Sequence, residues 1–206
     1  MAAARELVIA DEPAAWAALG FAPGQDGAFA LGRLRVRLAG GSAGRGLVAL
    51  HVDGLGGERP DGLPVVAGGA AARTPAPASA HPNGALAIDH LVAFTDDRDR
   101  TAGALAAAGG DVRRRGGPPE LPAPMAFVRF GELIVEVAEA GGPARFWGLT
   151  VRVADLDALA GPLLGAPRPA VQPGSRIATV RREAGLSIAL ALMSREQDSN
   201  PSGPRG

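Results

Sequence analysis

The feature that most constrains the fold is a pattern of short segments that recurs along the 206-residue chain. Its clearest copy begins at residues 87–94, an apolar run of strand length that contains Asp89 and His90. An alanine-rich helical segment follows, and then two strand-like runs, the last of which carries Glu136. A unit of this kind, about 40 to 55 residues long, cannot cover its own sheet face, so copies are expected to pair around a shared interior.

Aligning the segments supports four copies of the unit. IDHLVAFTDDRDR matches WGLTVRVADLDA and, more loosely, RGLVALHVDGLG, while MAFVRFGELIVEV matches GAFALGRLRVRL and ATVRREAGLSIALAL. The order of elements predicts an α+β protein built from tandem βαβββ modules. We expect a degenerate N-terminal pair of modules over residues 1–84, a two-module domain over 85–194 and a disordered tail over 195–206.

Several local expectations accompany this pattern. Asp155 is expected to cap a short helix that contains Pro162. His51 lies in a strand without a second ligand at metal-binding spacing, so a structural role is favoured. His81 stands in a His-Pro-Asn-Gly turn and is expected to be solvated. Residues 53–84 lack a convincing helix.

Composition restricts the chemistry and the partners. The chain has no Cys, Lys or Tyr, and its only histidines are at positions 51, 81 and 90. Thiol, Schiff-base and phenolic chemistry are therefore excluded, as is a thiolate zinc site. With 21 basic and 21 acidic residues, charge alone offers no affinity for nucleic acid or an anionic membrane. Without a signal or spanning segment, the expected location is the cytoplasm.

Three stretches carry a resemblance to a known family: HPNGALAIDHLVAF, ARFWGLTVRVADLDAL and SRIATVRREAGLS. Through them the chain resembles the vicinal oxygen chelate superfamily, which includes glyoxalase I, bleomycin-resistance proteins and extradiol dioxygenases, and in particular actinobacterial glyoxalase-like proteins. The match covers about residues 81–194 and is weaker over 5–80. It implies paired βαβββ modules whose curved mixed sheets enclose a cleft, with a metal held by the first and last strands of each module.

When the family's metal-ligand positions are transferred to this sequence, only half of them hold residues that can bind a metal. The resemblance places the two ligand slots of the third module on His90 and Glu136. The fourth module offers Gly148 and a position near Leu190, and the first offers about Ala4 and Arg37, none of which suits the family's metal. Two protein ligands are fewer than zinc sites normally use. A divalent metal such as Zn, Ni, Mn or Fe and a hydrogen-bonded polar pair both stay open, and no nucleotide cofactor is expected.

Strand alternation predicts which side chains line the cleft. On this basis substrate-binding positions are expected at Val92, Phe94, Ile134, Thr150, Arg152 and Leu190. Arg152 either fixes an anionic group or lies in solvent at the strand end. Asp89 and Glu139 are expected to face away from the metal position, and Trp147 is expected to pack in the core.

Three functions are consistent with these features. The first is a glyoxalase-like protein that binds or transforms a small organic molecule, as a metal-dependent lyase, isomerase or dioxygenase-like enzyme in which Glu136 is a ligand or the general base. The second is a metal-free protein that sequesters a small molecule, as bleomycin-resistance proteins do. The third is a protein whose modules serve association. A homodimer is left open.

Overall fold

The computed structural model describes residues 1–69, 80–116, 125–159 and 161–195. Within them lie two α-helices, α1 (Pro13–Ala17) and α2 (Arg98–Ala107). The strands are β1 Ala3–Ile9, β2 Ala28–Leu31, β3 Leu34–Leu38, β4 Leu47–Asp53, β5 Val65–Ala67, β6 Ala85–Thr95, β7 Asp111–Arg115, β8 Met125–Phe130, β9 Leu133–Glu139, β10 Arg145–Val153, β11 Arg168–Pro169, β12 Ser175–Thr179 and β13 Ala189–Arg195.

The C-terminal part forms an eight-stranded sheet in the order β11-β12-β13-β10-β6-β9-β8-β7. In each half the first strand pairs in parallel with the last, β6 with β9 and β10 with β13. The two first strands, β6 and β10, pair antiparallel at the centre and join the halves. The predicted α+β class with βαβββ-type modules is thereby confirmed.

The N-terminal part forms a five-stranded sheet in the order β2-β3-β1-β4-β5. Its strands repeat the pairing pattern of the larger sheet. β1 is parallel to β3, β4 is parallel to β5, and β1 pairs antiparallel with β4. Gly32 and Gly131 occupy matching hairpin turns with φ of +63° and +64°, a backbone region that glycine adopts without strain. β5 falls in the stretch for which the sequence indicated no regular pattern.

Helix α2 packs on β8 and β9 through its buried residues Thr101, Ala102 and Leu105. Its N-cap is Asp97, which accepts a hydrogen bond from the Arg100 amide at 2.9 Å. Among the residues that the structure describes, no helix is both long enough and apolar enough to span a membrane.

The prediction of a helix after Asp155 was wrong. The described residues between 155 and 164 form turns, and the Asp155 carboxylate accepts from the amides of Asp157 and Ala158 at 2.9 and 3.2 Å. This local turn competes with helical hydrogen bonding. Gly161 and Pro162 then disfavour further helix, and Leu164 instead forms a bridge with Val180.

His81 is buried, so the expectation of a solvated turn residue was wrong. Its Nδ1 accepts from the Ala22 amide at 3.0 Å, and its Nε2 donates to the Ala30 carbonyl at 2.8 Å. The rings of Phe21 and Phe29 contact it edge-on. The imidazole therefore ties the segment that precedes β6 to the N-terminal sheet.

Candidate functional site

The candidate site lies on one face of the central strands of the larger sheet. Along β9 the side chains of Leu133, Val135 and Val137 are buried, whereas Ile134, Glu136 and Ala138 are partly exposed. The strand thus presents its second set of side chains to a face that solvent reaches.

Register places β6 side chains on the same face. Val92 pairs with Glu136 and Phe94 pairs with Ala138, so both lie on the face of Glu136, as the alternation predicted. Across β10, Gly148 pairs with Val92 and Thr150 pairs with His90. Three neighbouring strands therefore present His90, Glu136 and Thr150 toward a common point.

At that point the polar atoms form a continuous chain of contacts. Asp89 Oδ2 lies 2.8 Å from His90 Nδ1. His90 Nε2 lies 3.0 Å from Thr150 Oγ1 and 3.9 Å from Glu136 Oε2. The side chains of Asp89, His90 and Glu136 are only 16 to 20% exposed. The site is a mostly buried polar cluster that keeps access to solvent.

Asp89 belongs to this cluster, contrary to the alternation argument that turned it to the other face. In the β6–β10 ladder His90 pairs with Thr150 and Ile88 pairs with Val151, so Asp89 is an extra residue without a partner. Such a β-bulge breaks the two-residue alternation and re-aims the side chain. Asp89 and His90, although adjacent in sequence, consequently meet side by side.

The cluster displaces the pKa values of its two carboxyl groups in opposite directions. Burial raises the pKa of Glu136; the nearby His90 opposes this, and the charge of Asp89 adds to it. Burial also acts to raise the pKa of Asp89, but the hydrogen bond and charge of His90, with smaller help from Gln172 and Arg152, lower it overall. Asp89 is thus the carboxyl group whose ionised form these surroundings favour.

Arg152 and Gln172 surround Asp89. Gln172 Nε2 donates to Asp89 Oδ2 at 3.3 Å, a contact that sequence reasoning missed because the two residues lie 83 positions apart. Arg152 is exposed and pairs in register with Ala87, while its charge acts on Asp89. Arg152 is therefore a solvent-facing cation beside the site, and its binding of an anionic ligand group stays a prediction.

Leu190 does not share the face of Gly148, as alternation had suggested. It pairs in register with Leu149, and both side chains are buried in the hydrophobic core. Ala191, which pairs with Thr150, occupies the position in β13 that matches Glu136 in β9. The equivalent slot is therefore an alanine, displaced by one residue from the predicted position.

Trp147 does not pack in the core, because it too lies at a bulge. Phe146 pairs with Ala93 and Gly148 with Val92, which leaves Trp147 as the extra residue of β10. Its indole stacks on Phe94 with a centroid distance of 4.6 Å and remains 48% exposed.

The N-terminal sheet repeats this geometry with different side chains. Glu6 pairs with His51 next to a bulge at Arg5, as His90 pairs with Thr150 next to the bulge at Asp89. Val8 pairs with Arg37 as Val92 pairs with Glu136. Glu6, rather than the expected Ala4, is consequently the counterpart of His90, and Arg37 is the counterpart of Glu136.

Ion pairs occupy that N-terminal position. Glu6 Oε1 lies 3.0 Å from Arg35 Nε and 3.4 Å from Arg37 Nε, and Glu6 Oε2 lies 3.7 Å from His51 Nε2. The Arg35 contact meets an ion-pair distance but not hydrogen-bond geometry, and Arg35 Nε has no other partner in the described chain. In this sheet, a salt-bridge cluster around the buried Glu6 lies at the position where the larger sheet has the imidazole–carboxylate pair.

The donors of the C-terminal site are too few for a tight metal centre. No group of three or more His, Cys, Asp or Glu side chains is arranged to hold an ion among the residues that the structure describes. Asp89 binds the far nitrogen of His90, and Glu139 is an exposed residue at the end of β9. His90 and Glu136 remain, one short of the three protein ligands typical of catalytic zinc.

Comparison with known proteins finds structural likenesses of low sequence identity. No family model matches the chain. No curated protein matches it either. Among solved structures, methylmalonyl-CoA epimerase from Mycobacterium tuberculosis is 14% identical, with a TM-score of 0.47 over 57% of this chain and 93% of its own. Methylmalonyl-CoA epimerase from Streptomyces coelicolor in complex with 2-nitronate-propionyl-CoA is 19% identical, with a TM-score of 0.42 over 53% and 97%.

These structural neighbours belong to the vicinal oxygen chelate superfamily, and the likeness to them concerns the fold alone. The pairing of β6 with β9 and of β10 with β13 is the evidence for paired βαβββ-type modules. The identities and TM-scores support no statement about reaction or substrate.

Proposed function

We propose that this chain is a glyoxalase-like protein that binds a small organic molecule on the face formed by β6, β9 and β10, and that Glu136 exchanges a proton with the bound molecule. One observation carries the proposal: Asp89, His90 and Glu136 form a mostly buried chain of contacts at 2.8 and 3.9 Å. The superfamily fold is the context, and the chemistry is argued from these groups alone.

The roles follow from the two carboxyl groups. Neighbouring carboxyl groups whose environments push their pKa values apart assume different roles in acid–base chemistry. Asp89, with its lowered pKa, stays ionised and holds the proton of His90 on Nδ1. His90 Nε2 then accepts from the Thr150 hydroxyl and faces Glu136. Glu136, whose pKa burial raises above its ordinary value, is the group suited to take and return a proton.

A divalent ion is the alternative that the resemblance implies. Zn, Ni, Mn or Fe would be held by His90 and Glu136, and Asp89 would orient the imidazole in the way that second-sphere carboxylates do. When bound, the ion would polarise substrate oxygens. Since two donors fall short of a tight site, no step is assigned to a metal.

Sequestration without chemistry is the second candidate function. It is favoured by the apolar side chains that flank the polar cluster on its own face, Val92, Phe94 and Ile134, and by the non-polar residues at the fourth module's slots, Gly148 and Ala191. Such a face binds apolar molecules through burial of their surface.

Hydrogen exchange separates the two functions. The protein would be incubated in D₂O with small carbonyl compounds that carry an α C–H, and proton NMR would follow replacement of that hydrogen. We expect exchange by the wild type and a loss of roughly 100-fold or more in Glu136→Gln. Glu139→Gln, an exposed carboxylate on the same strand, is the matched control and should keep wild-type rates.

The other outcomes are equally informative. Compounds that bind but never exchange would support sequestration, and exchange that persists in Glu136→Gln would contradict the proposed role of this residue. The metal alternative predicts that added Zn or Ni raises the melting temperature of the wild type, because an ion that binds the folded state stabilises it by mass action. The melting temperature of His90→Ala should then stay unchanged.

A further inference from the structure

A half-exposed tryptophan stands at the edge of the candidate site. The chain has two tryptophans. Trp16 is fully buried, whereas Trp147 is 48% exposed. Within the described ranges the other exposed large hydrophobic residues are Met1, Leu86 and Val171, so Trp147 is the one aromatic member of that set. An indole carries the largest apolar surface of any side chain, and its exposure leaves that surface available for a ligand.

The position of Trp147 is fixed by two features of the fold. The bulge in β10 turns it toward β6, and its ring stacks on Phe94 at 4.6 Å with 23° between the planes. Phe94 pairs with Ala138, one rung along the sheet from the Val92–Glu136 pair. One rung of two residues is about 7 Å, so the aromatic pair lies within reach of a small molecule that contacts Glu136.

A cation completes this edge. The guanidinium of Arg145 lies 5.7 Å from the Phe94 ring centroid, and its Nη1 donates to the carbonyls of Gly141 and Pro143 at 2.9 and 3.3 Å. The Nε and Nη2 groups of Arg145 form no hydrogen bond or ion pair with the residues that the structure describes. The edge therefore offers a ring surface and hydrogen-bond donors suited to an anionic substituent.

We propose that the small molecule bound on this face carries a planar aromatic ring, which stacks on the exposed surface of Trp147 while the rest of the molecule extends along β6 toward Glu136. This inference rests on the proposed function and names its substrate class. Aromatic stacking prefers a flat partner over a saturated ring of similar size, and this preference makes the proposal testable.

Binding is measured with matched pairs of aromatic and saturated carboxylic acids, such as mandelate and hexahydromandelate, through the emission of Trp147. Excitation at the red edge of the tryptophan band avoids absorption by these acids. Trp16 serves as an internal reference, because it is fully buried and its Nε1 donates to Asp11 at 3.0 Å. We expect the aromatic member of a pair to bind roughly 3- to 10-fold more tightly and to change the emission of Trp147.

Two variants decide the interpretation. Trp147→Leu keeps an apolar residue at an exposed position and should abolish the preference for the aromatic member. Because this variant lacks the Trp147 emission, isothermal titration calorimetry compares its binding of each pair with that of the wild type. Glu136→Gln should keep the preference while losing hydrogen exchange, so failure of the proton-transfer role and failure of the ring site are distinguishable. Far-ultraviolet circular dichroism confirms that each variant is folded.

Four results would overturn the proposal. The first two are equal binding of the aromatic and saturated members and a preference that survives in Trp147→Leu. The third is the absence of binding by any pair at millimolar concentration. The fourth is an emission change that depends on protein concentration and accompanies dimer formation in size-exclusion chromatography. The last result would assign Trp147 to a contact between two copies of the chain.

Discussion

At the scale of single residues, the site depends on how Asp89 and Glu136 differ. Both are mostly buried, but Asp89 touches the imidazole at 2.8 Å, whereas Glu136 lies 3.9 Å from it. A short hydrogen bond from the imidazole N–H offsets part of the cost of burying a carboxylate, and a longer contact offsets less of that cost. The same surroundings therefore stabilise the charge of Asp89 and disfavour that of Glu136.

This difference predicts how stability depends on pH in Glu136→Gln. The raised pKa means that the folded protein binds a proton on Glu136 more tightly than the unfolded chain does. The protonated side chain therefore contributes its full stabilisation below the unfolded pKa, near 4.5. This stabilisation is lost as pH rises through the folded pKa. The neutral amide removes that loss. Glu136→Gln should be more stable than wild type at neutral pH, and the gain should shrink toward pH 4.5, as measured by denaturant titrations at each pH.

Asp89→Asn gives the opposite sign and serves as the control. The lowered pKa of Asp89 means that its contribution is present above the unfolded pKa, near 3.8, and is lost as pH falls through the folded pKa. Removal of this charge should therefore destabilise the protein at neutral pH. A loss of stability at neutral pH in Glu136→Gln would show that the buried charge is favourable, contrary to this account.

At the scale of elements, the two sheets use one register for two kinds of polar centre. β1 and β4 place Glu6 against His51, where β6 and β10 place His90 against Thr150. In the first case, a carboxylate that is 2% exposed is held between two arginines. In the second, the contacts leave Glu136 without a strong partner. The N-terminal centre is therefore suited to stability, whereas the C-terminal centre has the weakly paired carboxyl group on which the proposed proton transfer depends.

Glu6→Gln tests the structural role of the N-terminal centre. The substitution keeps the shape of the side chain but leaves the guanidinium of Arg35, which is 12% exposed, without its buried counter-charge. We expect a loss of roughly 3 kcal/mol in the free energy of unfolding. Glu132→Gln, which breaks the solvent-exposed pair with Arg33, should cost less than about 1 kcal/mol. Equal losses in the two variants would refute the assignment.

The elements also show what the sequence could predict. Apolar runs of strand length and their repeated order located the strands, and the resemblance pointed to His90 and Glu136. Alternation failed at Asp89 and Trp147, because each is a bulge residue, and a one-residue insertion into a ladder leaves no pattern in the strand that contains it. It also failed at Leu190, because the register between parallel strands is set by tertiary packing.

At the scale of the whole molecule, polar contacts join the two sheets. Asp11, which is buried beside the N-terminal sheet, accepts from Trp16 Nε1 at 3.0 Å and from the amide of Ser187 at 2.7 Å. The Ser187 hydroxyl in turn accepts from the Gly46 amide at 2.7 Å. Since Ser187 lies just before β13, this network connects the start of the chain to the last strand of the larger sheet.

Asp11→Asn should weaken this connection. An amide offers one acceptor oxygen where the carboxylate uses two, so one of the two buried N–H donors would lose its partner and face an NH₂ group. We expect a loss of about 1–3 kcal/mol in the free energy of unfolding, measured by denaturant titration. Asp157→Asn, at an exposed position, should change stability by less than about 0.5 kcal/mol.

The shared interior leads to a prediction about cooperativity. Leu7, Val36 and Leu50 of the smaller sheet belong to the same cluster of buried residues as Leu91, Val135 and Leu149 of the larger sheet. If either sheet unfolded alone, it would expose the apolar surface that covers the other, at a cost of about 25 cal/mol for each Å². Differential scanning calorimetry should therefore show one transition in which the calorimetric and van't Hoff enthalpies agree. Two transitions, or a fragment of residues 85–195 that melts at the wild-type temperature, would show that each sheet has an independent core.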